Sequence, residues 1–226
     1  MNRLFSLLIV LTLSAALKTP ASARYYPAVD PFITTENAQR LKAMRKISPA
    51  AMHSIEPVIR DWLQFYHLDI SKFYLGKKGS WLFYQDYPSY ARDFDAKNDD
   101  VYIPQKFDYS PSKQKYLDYK LIDKLGNQYV FAGHEDSEEL YLVDRKQKTK
   151  KIIQWFGSAQ MTEATFWLDE EHFIIVGLVF PNSYFIYTLG PEDQLVSYYY
   201  ESTPEQFKTG YETRFLQSKG VIIPKE

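Results

Sequence analysis

The sequence predicts a mainly β, antiparallel protein: meander sheets with blade-like four-stranded units, preceded by a helical segment and followed by a short helix. Three observations carry this. Beyond Phe73, short runs rich in Tyr, Phe, Trp, Ile and Val alternate with Gly, Asp, Asn and Lys turns at hairpin spacing. Within that region a pattern recurs at a shift of about 44 residues, the length of a propeller blade. Ahead of it, apolar residues recur every three or four positions, the helical period.

Residues 1–23 read as a cleaved signal peptide. Arg3 supplies a positive start, Leu4 to Leu17 an apolar run too short for a spanning helix, and Ala21-Ser22-Ala23 a small-residue cleavage site. The product is expected to begin at Arg24 and to be exported, to a periplasm or to the medium. No later stretch approaches the ~20 apolar residues of a membrane span, so no transmembrane segment is expected after cleavage. The chain has no cysteine, so its fold rests on a hydrophobic core without disulfides or a thiol-linked lipid.

Residues 24–72 read as an extended leader and a helical segment packing on the β-domain. Tyr25, Tyr26, Pro27 and Pro31 show no period. Leu41, Met44 and Ile47 then share one face of a first helix. Ser48-Pro49 ends it and starts another, Ser as N-cap and Pro at the first helical position. In the second helix Met52, Ile55, Ile59, Trp62, Leu63 and Tyr66 form an apolar stripe, with Pro57 marking a kink or the start of the regular part. The stripe either covers a face of the β-structure or offers a partner-binding hairpin.

Residues 73–226 read as the antiparallel β-domain with its C-terminal helix. Strands are expected at Ser80–Gln85, Val101–Gln105, Tyr116–Ile122, Gln128–Gly133, Glu139–Asp144, Lys150–Gln154, Ala164–Leu168, His172–Val179, Tyr184–Leu189 and Val196–Glu201. Gly76-Lys77-Lys78-Gly79 reads as a turn. The shift of about 44 residues lays Tyr129–Gly133 on Phe173–Gly177 and Leu140–Val143 on Tyr184–Tyr187, so each copy reads as four strands. Two clear copies and a degenerate one do not complete a propeller, which needs about four blades. Stacked meanders, one curled sheet or a closed barrel are the alternatives. Thr203-Pro204 with Gln206 is a capping box for a last helix with Phe207, Tyr211 and Phe215 on one face. Gly220 stops it, and Val221–Ile223 is expected as an edge strand ended by Pro224.

Charge narrows the partners. After cleavage 25 basic residues face 28 acidic ones, a net charge of −3, and the dense basic run Arg145 to Lys151 reads as a hairpin turn. Nucleic acid is therefore not expected as a partner. There is no Gly-x-Ser-x-Gly elbow around Ser158 and no phosphate-cradling glycine loop, so neither a serine nucleophile nor a nucleotide cofactor is indicated, and no cofactor is expected. His53 and Glu56 share a helix face but have no matching pair. The acidic loop with His134, Asp136 and Glu138 is a weak candidate for a cation site, lacking the spacing of a calcium loop.

The 19 Tyr, 15 Phe and 4 Trp are more than one sheet face needs for its core, and Tyr and Trp suit sugar rings and protein segments alike. In the least regular stretch, Tyr87, Tyr90, Phe94, Tyr102 and Tyr109 are the candidate binding residues. The expectation is an exported, non-catalytic binding module recognising a protein or glycan ligand. Its alternatives are a secreted hydrolase using carboxylates or a metal, and an envelope scaffold whose aromatics are all core.

Overall fold

The computed structural model describes residues 45–80, 107–134, 137–191 and 194–224. These fall in the second of the chain's two compact units, Phe32–Glu226; the first, Met1–Pro31, lies outside the described residues, as does the expected signal peptide. The described fold is mainly β, with antiparallel sheets and two α-helices.

Ser48 caps helix α1 (Pro49–Tyr66) by accepting from the Ala51 N–H at 3.2 Å, with Pro49 at the start. Pro57 lies inside the helix and Ile59 leaves helical geometry, so the apolar stripe continues across an irregularity. Ile55, Ile59, Trp62, Leu63 and Tyr66 are buried. The expected first helix is not continued at its visible end: Lys46 bridges Tyr74, and the Ile47 N–H donates to Phe73 C=O at 2.9 Å. An edge strand with free carbonyls outcompetes helix propensity there.

Among the described residues, a 3-10 turn (Ile70–Lys72) is followed by twelve strands: β1 Tyr74–Ser80, β2 Phe107–Tyr109, β3 Lys115–Asp118, β4 Leu121–Leu125, β5 Gln128–Gly133, β6 Glu138–Asp144, β7 Thr149–Phe156, β8 Gln160–Trp167, β9 Phe173–Val179, β10 Ser183–Leu189, β11 Gln194–Glu201 and, past helix α2 (Tyr211–Ser218), β12 Val221–Ile222. They form three sheets: β1-β11-β10-β9-β8, β2-β3-β6-β7 and β12-β5-β4.

The five-stranded sheet is the middle layer. Ile174, Val176, Leu178, Tyr184 and Ile186 point to α1, with Trp62 and Phe73 between. Phe173, Ile175, Phe185, Tyr187 and Leu189 point the other way, onto Leu117, Leu140, Ile153 and Phe156 of the four-stranded sheet. With both faces covered, β9 and β10 are apolar almost throughout.

Several expectations are corrected. The blade repeat is not found: β9 and β10 form one hairpin, whereas their counterparts β5 and β6 lie in different sheets, and no sheet closes among the described residues. Gly76–Gly79 lies inside β1 rather than in a turn; the Tyr199 ring occupies the place a Cβ of Gly76 would take. The run Tyr116–Ile122 is broken at Tyr119-Lys120, where the chain passes from β3 to β4. Helix α2 starts only at Tyr211, because Gly210 has φ +111° and Pro204–Gln206 forms a turn. Gly220, at φ +78°, ends it as expected, and β12 joins β5 in parallel. The expected strands Ser80–Gln85 and Val101–Gln105 lie outside the described residues, apart from Ser80 itself at the end of β1.

Candidate functional site

Where β3 gives way to β4, Lys120 enters the interior. Its side chain is 3% exposed, and its ammonium donates to Glu138 Oε1 at 3.1 Å and to the Thr162 C=O and forms an ion pair with Glu212. Glu138 also accepts from the Thr162 N–H at 2.9 Å. Glu212, in the first turn of α2, receives His134 Nε2 at 2.8 Å on its other oxygen. Burial alone pushes the Glu212 carboxyl up, but Lys120 and His134 outweigh it and hold it below the ordinary value. Burial likewise works against the Lys120 ammonium, and Glu138 and Glu212 overcome it, leaving its pKa raised.

A β-bulge makes this arrangement. Between Thr162 and Ala164 strand β8 carries an extra residue against β9. Thr162 therefore faces Lys120, while Glu163 turns to the helix side. There it accepts from Trp62 Nε1 at 2.9 Å, Tyr66 OH at 2.5 Å and Tyr211 N–H at 3.2 Å. Burial, not a neighbouring charge, is the main reason its carboxyl is pushed up. A further buried group joins Asp108 to Tyr119 OH at 3.1 Å, to Thr165 Oγ1 and to Lys219. Burial draws Lys219 down to about 8, although the Asp108 carboxylate lies in direct contact with it.

Above the Lys120 cluster lies a cleft of about 530 Å³. Leu121 and Phe131 of β4–β5, Glu139, Tyr141 and Lys150 of β6–β7, and Phe180 are among the residues that line it. Leu121 and Phe180 are 40% and 39% exposed. Lys150 lies 4.4 Å from the Tyr141 ring centroid and 3.2 Å from Asp118 Oδ2. Most ionised groups here are thus paired within the protein, which sets the cleft's shape and polarity.

Of the candidate binding residues, Tyr87, Tyr90, Phe94 and Tyr102 lie outside the described residues. Tyr109 is half-buried in β2, its ring 5.5 Å from that of Tyr116 and 6.2 Å from that of Phe107, away from the cleft. Of the candidate cation ligands, Asp136 lies outside the described residues. His134 and Glu138 both line the cleft; Glu138 is taken by the Lys120 ammonium, which also meets Glu212, and His134 pairs with Glu212. Among the described residues no three His, Cys, Asp or Glu converge as a metal site. Sequence reasoning missed Lys120 and Glu212. A lysine between Tyr119 and Leu121 in an expected strand was the available signal; Glu212 had none.

Comparison of the chain with protein-family models, with curated proteins and with solved structures gives no match. Among the described residues no helix is long and apolar enough to cross a membrane.

Proposed function

We propose that this chain is an exported, non-catalytic binding module that takes a protein segment or a glycan in the cleft between β4–β5 and β6–β7. The observation that carries this is the combination of exposed and half-buried apolar side chains lining the cleft with an underlying Lys120 cluster whose charges pair with one another. Leu121, Phe131, Tyr141 and Phe180 offer contact surface, and in the Lys120–Glu138–Glu212 cluster beneath them the charged groups pair with one another. A second reading, a hydrolase, is favoured by His134: it is 45% exposed, lines the cleft and is held on Nε2 by a buried carboxylate, as an acid–base imidazole would be.

The test uses the product recovered from the envelope or medium, whose first residue is expected to be Arg24, on arrays of defined peptides and oligosaccharides. Binding that falls at least about tenfold in Leu121→Ser and Phe180→Ser supports the module, because both side chains are exposed and neither change empties the core. Binding unchanged in both variants places the ligand elsewhere and overturns the assignment to the cleft. Turnover of a ligand that is lost in His134→Ala replaces the module with the hydrolase.

A further inference from the structure

The cleft opens onto the outward face of the four-stranded sheet, where two neighbouring positions are built from similar parts. At the first, Asp118 and Tyr141 are cross-strand partners, and Lys150 completes them, its ammonium over the ring and beside the carboxylate. At the second, on the other side of β6, Glu139 and Trp155 are cross-strand partners of β6 and β7, with a bulge between them and Tyr141. Glu139 lies two residues from Tyr141 on the same face and accepts a hydrogen bond from its hydroxyl. Trp155 is 44% exposed, and its ring borders Gly157 in the cleft wall, 3.6 Å from where a Cβ would stand. Carboxylate and aromatic face are both present; among the described residues no cationic side chain pairs with Glu139.

We propose that this second position takes a cation from outside, an ammonium or guanidinium group seated on Glu139 and Trp155 as Lys150 is seated on Asp118 and Tyr141. The source it fits best is a Lys or Arg side chain of a peptide segment, whose remainder would lie along the apolar walls. The charge balance favours the same class. Among the described residues that line the cleft, Asp118, Glu138 and Glu139 outnumber Lys120 and Lys150, with His134 beside them, so this wall favours an incoming cation over an anionic ligand. This assignment rests on the reading of the cleft as a binding site and specifies the chemistry of its ligand.

The experiment follows the Trp155 indole N–H by NMR in the whole exported chain. The probes are acetylated, amidated Ala-Lys-Ala and Ala-Arg-Ala, their neutral norleucine and citrulline counterparts, and n-butylammonium. Expected are saturable Trp155 shifts with the Lys and Arg peptides, at least about tenfold weaker binding of the neutral peptides, and a similar loss in Glu139→Gln with the other resonances unmoved. Butylammonium binding as tightly as the Lys peptide upholds the cation site and assigns it to free amines. Equal binding of Lys and norleucine peptides, or full binding by Glu139→Gln, overturns the cation while the cleft stands as a binding site. A Trp155 signal indifferent to every probe overturns the cation site; if the arrays also detect no cleft ligand, the binding-module reading falls with it.

Discussion

Glu163 shows how far a single residue's role is set by where a strand is irregular. The bulge in β8 sends it towards α1, where the indole of Trp62, the hydroxyl of Tyr66 and the amide of Tyr211 all donate to it. Those donors favour the carboxylate, but burial outweighs them and raises its pKa above the ordinary 4.5. A raised carboxyl pKa makes ionisation costlier in the folded chain than in the unfolded one. The cost is fully present above the folded value and is relieved as pH falls towards 4.5. Each pH unit between the folded and unfolded values corresponds to about 1.4 kcal/mol. Glu212, held low by Lys120 and His134, works in the opposite sense, stabilising above its ordinary value and losing that contribution as pH falls through its folded value. Glu163→Gln isolates the first effect, because Glu212 is common to both proteins. Urea unfolding across this range should find wild type gaining stability relative to Glu163→Gln as pH falls; a constant difference would mean that Glu163 does not titrate in the fold. None of this is legible in the run Met161-Thr162-Glu163, which lies just ahead of the strand expected at Ala164–Leu168.

At the scale of elements, local pattern was a good guide wherever the element's own period decided the outcome. Strands β5, β6, β9 and β10 begin and end within a residue of expectation, because runs of aliphatic and aromatic residues bounded by turns have few other conformations open to them. Helix α2 shows the converse. Phe207, Tyr211 and Phe215 have helical spacing, yet Phe207 serves from a turn, its ring 5.2 Å from Tyr184 and 5.8 Å from Phe180, while Gly210 interrupts the helix. A glycine in the left-handed region removes the need for a continuous helix, and the aromatic still finds its place. Gly177 is the corresponding demand inside a sheet. The Phe185 ring lies 2.5 Å from its missing Cβ and the Met161 carbonyl is closer still, at the very bulge that orients Thr162 and Glu163. Gly177→Ala should cost about 3 kcal/mol in urea unfolding, at the upper end of ordinary overpacking, because one neighbour is backbone and cannot rotate away. A loss under about 1 kcal/mol would show the bulge to be adaptable.

At the scale of the molecule, the five-stranded sheet belongs to two cores at once, α1 on one side and the four-stranded sheet on the other. Loss of either layer exposes the apolar face of β9 and β10, so the layers cannot separate cheaply. Unfolding followed by tryptophan fluorescence and by far-ultraviolet circular dichroism should give one coincident transition. Trp62 reports from the helix side and Trp167 from the other, so an early fluorescence change would reveal a layer that melts alone. The acidic balance of the chain belongs to this scale too, since it bears on which ligands approach.

By itself the sequence determined the mainly β class, the helix opened by Ser48-Pro49, the apolar strands and the stop at Gly220. Each follows from backbone preference or hydrophobic period within a few residues. Only the tertiary structure decided that β5 and β6 part company, that Gly76 lies in a strand, and that Lys120, Glu138, His134 and Glu212 meet beneath a cleft. Those outcomes depend on contacts between residues far apart in the chain. A buried lysine is tolerable only when carboxylates from other elements surround it, and no linear spacing records which elements those will be.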